Sequence, residues 1–213
     1  MSDQMMRMPL GGPDFKTGDG VRQNVQRIGN QNDLLVSQLH GNLHEQTLRN
    51  NMFGAASQAD TTTTVALATT YTGLCLSNPA GNNKLLVVRQ VGWGLSVSPA
   101  GIGYVGLGVG FSAAGVTVHT TPLIAYNQRV GSNTAPTAKA DAAATLVAGA
   151  GQGLLRISHI FGSYDDDAAV TAQGPALIDL EGGVILEPGG FAFIYTLTVV
   201  IGAFSMSWEE IPR

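Results

Sequence analysis

Charge is scarce in this sequence. Of 213 residues only 12% are Asp, Glu, Lys or Arg, about half the usual share of a globular domain. A solvated monomer keeps more charge at its surface, so the deficit points to a surface covered by copies of the chain or by a partner. The charge that exists contains no basic block and sums to −4, which argues against a nucleic-acid groove. Cysteine is nearly absent as well. The single Cys75 excludes an internal disulfide, and its place between Leu74 and Leu76 is that of a buried thiol rather than a nucleophile. The longest apolar run, Phe191 to Phe204, is too short and too broken by threonine to cross a bilayer as a helix. The first ten residues hold no apolar h-region. The expectation is therefore a chain without a secretion signal, made in a reducing cytoplasm, with no membrane partner.

Glycine is abundant instead. The 28 glycines follow no period of three, so they belong to turns and bulges. From about Asp60 to Ile211 they punctuate a train of short β-branched and aromatic runs. Tyr71 to Leu76 ends at Ser77-Asn78-Pro79-Ala80-Gly81, a strong turn signal. Lys84 to Ser98 places Leu85, Val87, Val91, Trp93, Leu95 and Val97 on one parity, the period of a half-buried strand. In Ile102 to Phe111, glycine alternates with Val105, Leu107, Val109 and Phe111, and small residues on one strand face let another sheet or subunit come close. Thr117 to Tyr126 is a weaker strand. Gly131 to Gly153 reads as a long surface excursion of the kind that often touches a neighbour. Leu154–Phe161, Ala176–Leu180, Val184–Leu186, Phe191–Val200 and Phe204–Ile211 complete the set, with Pro188-Gly189-Gly190 as a tight turn. Eight to ten short strands with glycine turns predict an all-β, two-sheet, jelly-roll-like sandwich over residues 60–213.

Residues 1–59 differ. Five basic and five acidic residues cancel there, Asn and Gln crowd the segment, and apolar residues are sparse before Leu34. Such a segment does not bury enough surface to offset its own ordering entropy. The expectation is an extended N-terminal arm, disordered or laid along another molecule. A helix from Asn32 or Asp33 to Asn51 is the regular element it allows, with Leu35, Leu39, Leu43, Leu48 and Met52 on one side and Gly41 in its middle. The register meets Asn42 and Arg49 next, so it is no sustained coiled coil.

Candidate chemistry is thin. Gly101-Ile102-Gly103-Tyr104-Val105-Gly106 matches a dinucleotide fingerprint in letters, yet Leu107-Gly108-Val109-Gly110 follows where a helix is required. His40 and His44 have the i, i+4 spacing of two metal ligands, but the glutamate of the metalloprotease pattern is replaced by Gly41. Asp165-Asp166-Asp167 offers carboxylates for a hard cation without the spacing of a calcium loop, and a solvated loop tip is the plainer reading. No Gly-x-Ser-x-Gly elbow is present. The expectation is no enzyme, no metal and no cofactor.

Several blocks together resemble structural proteins of tailed bacteriophages. These are Gln38-Leu39-His40-Gly41 with Glu45-Gln46, Arg49-Asn50-Asn51 and Phe53; Tyr71-Thr72-Gly73-Leu74-Cys75-Leu76-Ser77-Asn78-Pro79-Ala80-Gly81; and Ser205-Met206-Ser207-Trp208-Glu209-Glu210. The resemblance spans about Gln38 to the end and carries no catalytic motif. It implies a capsid decoration (cement) protein on the virion surface, assembled in the host bacterial cytoplasm, with the major capsid protein as partner and a homotrimer as its own assembly. On that reading residues 1–59 bind the shell, with Phe15, Leu34, Leu35, Leu39, Leu43, Leu48 and Phe53 as apolar anchors. The alternatives are a tail, neck or fibre-attachment component, or a carbohydrate-binding jelly roll. The two tryptophans, Trp93 and Trp208, lie on strands that look core-facing, which weighs against sugar platforms. Outside viruses a trimeric extracellular ligand of the tumour-necrosis-factor shape competes, and the missing secretion signal weighs against it.

Overall fold

The computed structural model describes residues 27–28, 34–35, 43–65, 67–112, 117–147, 151–166 and 176–213. The chain divides into two units, Met1–Gly41 and Asn42–Arg213. In the first, β1 (Arg27–Ile28) pairs antiparallel with β2 (Leu34–Leu35). The second holds α1 (His44–Leu48) and the strands β3 (Met52–Ala56), β4 (Thr61–Thr62), β5 (Thr70–Ser77), β6 (Lys84–Leu95), β7 (Gly103–Phe111), β8 (Thr117–Leu123), β9 (Tyr126–Asn127), β10 (Lys139–Leu146), β11 (Arg156–Tyr164), β12 (Ala176–Leu186), β13 (Gly190–Thr196) and β14 (Ile201–Pro212).

These strands form two sheets of a sandwich, ordered β11-β7-β13-β5-β10-β8 and β12-β6-β14-β3-β9, with β4 paired to β14. Eight strands nest: β3 pairs with β14, β5 with β13, β6 with β12 and β7 with β11, all antiparallel. First pairs with last and fourth with fifth, the connectivity of a jelly roll. Strands β8 to β10 are an insertion between the fourth and fifth of these. β10 and β8 extend one sheet beyond β5, and β9 extends the other beyond β3.

The expected long excursion from Gly131 to Gly153 is thus corrected. Its alanine-rich middle, Lys139–Leu146, is a sheet strand flanked on both sides. Small side chains hid it, because alanine carries little strand signal. The parity of β6 is corrected too. Leu86 and Val88 face the core, then Val91, Trp93 and Leu95 do, while Leu85 does not. A register shift sets Ser207 opposite Gln90 but Trp208 opposite Val88. Arg89 is the extra residue, and a bulge flips every side chain beyond it.

The core between the sheets includes Phe53, Leu74, Leu76, Leu86, Val88, Val105, Leu107, Ile194, Phe204 and Trp208. A second apolar layer lies on the other face of the first sheet, formed by Tyr71, Cys75, Ala144, Leu146, Phe191, Phe193 and Tyr195. Strand β13 is consequently buried along its whole length, which accounts for its unbroken apolar run. The alternating glycines of β7 serve this layer. A Cβ on Gly108 would strike the Phe193 ring, and one on Gly110 the Phe191 ring. The close approach they permit within the chain is made by aromatic rings of the neighbouring strand.

The expected helix from Asn32 or Asp33 to Asn51 does not form. Leu34–Leu35 is strand, and α1 is five residues long. It ends where Asn50 takes a left-handed φ of 61°, a conformation asparagine accepts more readily than most residues. A helix that short has no stability of its own. It is held by Asn127 Nδ2 donating to Asn50 O at 3.2 Å and Arg129 Nη1 to Leu48 O at 3.1 Å.

The sandwich therefore begins at Met52 rather than at residue 60, and Phe53 is not a free anchor of the arm. It is 1% exposed, sits opposite Trp208 and stacks on that indole with ring centroids 6.3 Å apart. Phe53→Ala is expected to destabilise the fold by about 3–5 kcal/mol, measured as a fall in the urea midpoint at unchanged slope. A loss below about 1 kcal/mol would contradict the core placement.

Candidate functional site

The N-terminal residues expected to anchor a partner fall in several segments of the chain. Phe15 and Leu39 lie outside the described residues. Leu34 and Leu35 are described through their backbone pairing in β2. Leu43 is half-buried just before α1, Leu48 is exposed on it, and Phe53 belongs to the core. Of the two histidines at helical spacing, His44 is exposed at the start of α1 and His40 lies outside the described residues. Asp165 and Asp166 are exposed after β11, with the Asp166 N–H donating to Asp165 Oδ1 at 2.7 Å. Asp167 lies outside the described residues. Among the described residues no three His, Cys, Asp or Glu side chains gather as metal ligands. The Gly101–Gly106 segment runs into β7 as a strand. Both tryptophans face the core.

Two polar arrangements stand out, and neither was foreseen from the sequence. The first closes one end of the sandwich. Glu210, near the end of β14, turns its carboxylate inward and is fully buried. It accepts from Lys84 Nζ at 2.8 Å, Thr137 Oγ1 at 2.7 Å and the N–H groups of Thr137 and Ala138 at 2.8 and 3.0 Å. Asn82 Nδ2 donates in turn to Thr137 Oγ1 at 2.9 Å and to Asn78 Oδ1 at 2.7 Å. The Asn78 amide donates to the carbonyls of Lys84 and Leu186, both at 2.9 Å. Burial pushes the Glu210 carboxyl up, and the Lys84 ammonium with the Ala138 and Thr137 donors more than reverses this, so it sits below its ordinary value.

The second arrangement is on the edge strand β8. His119 Nδ1 lies 2.5 Å from Asp141 Oδ2, whose carboxylate is fully buried, while Oδ1 has no partner. Burial pushes the Asp141 carboxyl up, and the hydrogen bond and charge of His119 and the charge of Lys139 pull it only part of the way back. Cys75 is the cross-strand partner of Asp141. Burial, then the charge of Asp141, push its thiol well up, so it stays protonated and unreactive. The imidazole fastens β8 to β10.

Beside this edge, the segment from β9 to β10 encloses an open cleft of about 460 Å³, lined by Ala125, Tyr126, Asn127 and the turn from Val130 to Pro136. A second cleft of about 340 Å³, reached by His119, Leu123 and Lys139, shares Ala125 and Pro136 with it. The loop is secured at both ends. Asn127 Oδ1 accepts from the Arg129 N–H at 2.8 Å, Ser132 N donates to Arg129 O at 3.0 Å, and Gly131 takes a φ of +90° that suits glycine in such a turn. At the far end, Thr137 and Ala138 hang on Glu210.

No family model, no curated protein and no solved structure matches this chain.

Because Glu210 has its acidity raised by folding, its contribution to stability is fully present above the ordinary glutamate value of 4.5. It is lost as the pH falls through the lowered folded value. Glu210→Gln is expected to cost about 2–3 kcal/mol near neutrality, with the gap to wild type narrowing as the pH falls below the ordinary glutamate value. Urea titrations across that range give the answer, and a pH-independent gap would refute the role of the charge.

Proposed function

We propose that this chain is a structural protein of a tailed-bacteriophage virion, a capsid decoration (cement) protein. Its sandwich assembles with copies of itself, and its leading segment engages the major capsid protein. The reading rests on the resemblance of the Gln38–Gly41, Tyr71–Gly81 and Ser205–Glu210 blocks. The observation that carries it furthest is the division of the chain into a jelly-roll body and a separate leading unit, Met1–Gly41. A body of this kind presents a rigid block, and an arm repeated over a lattice gains affinity through the number of copies engaged.

Self-association has its own support. Among the described residues β11 and β12 are edge strands, nine and eleven residues long; they carry Arg156, Asp179 and Glu181 and leave Ile160, Leu177 and Ile185 exposed. Exposed aliphatic side chains on edge strands are the kind of surface a neighbouring subunit covers. A neighbouring subunit that covers these edges also accounts for the low charge of the chain.

Deleting residues 1–41 is expected to leave a folded oligomer, since α1 and β3 stay in place, while abolishing binding to expanded capsids. Co-sedimentation with purified capsids, and mass measurement of the free protein, test both statements. Unchanged capsid affinity of the truncated chain would refute the arm assignment. Finding the protein on purified particles at about a dozen copies or fewer, by microscopy, would move it to the tail or neck.

A further inference from the structure

We infer that the cleft between β9 and β10 is a binding site for a neutral saccharide, seated on Tyr126. The inference does not depend on the virion role.

Three observations carry it. The first is the posture of Tyr126. It is the cross-strand partner of Gly54, and its phenol end lies 3.3 Å from where a Cβ on Gly54 would stand. The end of the ring thus rests over the bare backbone of Gly54, while Tyr126 is 48% exposed and lines the cleft. An aromatic ring fixed in this way offers a flat apolar platform at little cost in conformational entropy. Tryptophan is not needed for that, and the two tryptophans are spent in the core.

The second is the lining. None of the residues that line the cleft carries a charge, so its wall favours a neutral ligand over a charged one. The apolar surface of Tyr126, Val130 and Pro136 alternates with the exposed amide of Asn133 and hydroxyl of Thr134. A ligand that meets this mixture has an apolar face for the ring and a rim of hydroxyls for the amide and hydroxyl groups. A pyranose has both. The cleft, of about 460 Å³, is shallow and open to solvent, which leaves room for a longer chain to continue past Pro136 toward the neighbouring cleft.

The third is preorganisation. The turn is braced by Asn127 and by the Ser132 Oγ that accepts from the Thr134 N–H at 3.2 Å, and the loop's end is tied to Glu210. A site held in shape before binding loses less freedom on capture, which is what a weak, hydroxyl-rich ligand requires.

The test uses the full-length chain and a panel of neutral oligosaccharides: chitotetraose, cellotetraose, maltotetraose and a β-galactoside tetramer. Each is titrated by calorimetry and by amide chemical-shift mapping. At least one is expected to bind, with shifts centred on residues 125–136. Tyr126→Ala should weaken that binding at least tenfold, which corresponds to about 1.4 kcal/mol. Tyr126→Phe should stay within a factor of about two and Asn133→Ala fall between them. The melting temperature and oligomeric mass of the variants should match wild type. Absence of binding by the whole panel at about 10 mM, shifts located elsewhere on the wild-type chain, or affinity unmoved in a folded Tyr126→Ala variant would each overturn the inference. The shift map needs no variant, so the inference stands or falls even if Tyr126→Ala misfolds.

Discussion

One carboxylate, that of Glu210, faces inward at the end of the last strand, and an entire end of the sandwich is organised around it. A buried anion without partners is intolerable in an apolar interior. Here a lysine from the start of β6, a threonine hydroxyl and two consecutive backbone N–H groups answer it. These donors belong to segments more than seventy residues away along the chain, so the anion fixes where the inserted loop returns to its sheet. A hydrophobic contact has no preferred direction. An ion with this many donors does, and it sets the position of Pro136 and the wall of the cleft beside it.

The paired faces of the first sheet supply the complementary constraint. Its inner face meets the second sheet, and its outer face carries a further apolar layer. Its central strands β7, β13 and β5 accordingly hold no charged residue. That explains the composition from within the fold: part of the missing charge reflects two-sided burial of β13 and its neighbours, and only the remainder calls for covering by another molecule. The inference from low charge to self-association is accordingly weaker than the composition alone makes it. Its remaining support is the exposed Ile160, Leu177 and Ile185 of the edge strands β11 and β12.

What was legible in the residues is local chemistry. The aromatic run of β13, the Pro188-Gly189-Gly190 turn, the Asn-rich turn after Ser77 and the buried places of Cys75, Trp93 and Trp208 all follow from short-range pattern, and the two-sheet all-β class follows from them. What escaped is whatever depends on partners distant in sequence. Alanine carries little strand propensity, so β10, which is held by a strand on each side, was invisible by propensity. The bulge at Arg89 leaves no mark in the letters and yet reverses which residues of β6 face the core. Phe53 stands in a segment otherwise rich in amides, and only the presence of Trp208 across the strand shows that it belongs to the body.

The candidate site repeats this lesson at smaller scale. Tyr126 has no distinguishing neighbours in sequence, and the loop after it reads as ordinary surface. Its meaning comes from Gly54, seventy-two residues earlier, whose missing side chain gives the ring its seat. The same device runs through the molecule. Gly108 and Gly110 accept the rings of Phe193 and Phe191 in a buried layer, and Gly54 accepts Tyr126 at the margin of the sandwich. In the interior a ring over a glycine closes the packing from both sides. At the margin the ring stays half-exposed, and the element that fills space elsewhere becomes part of the surface.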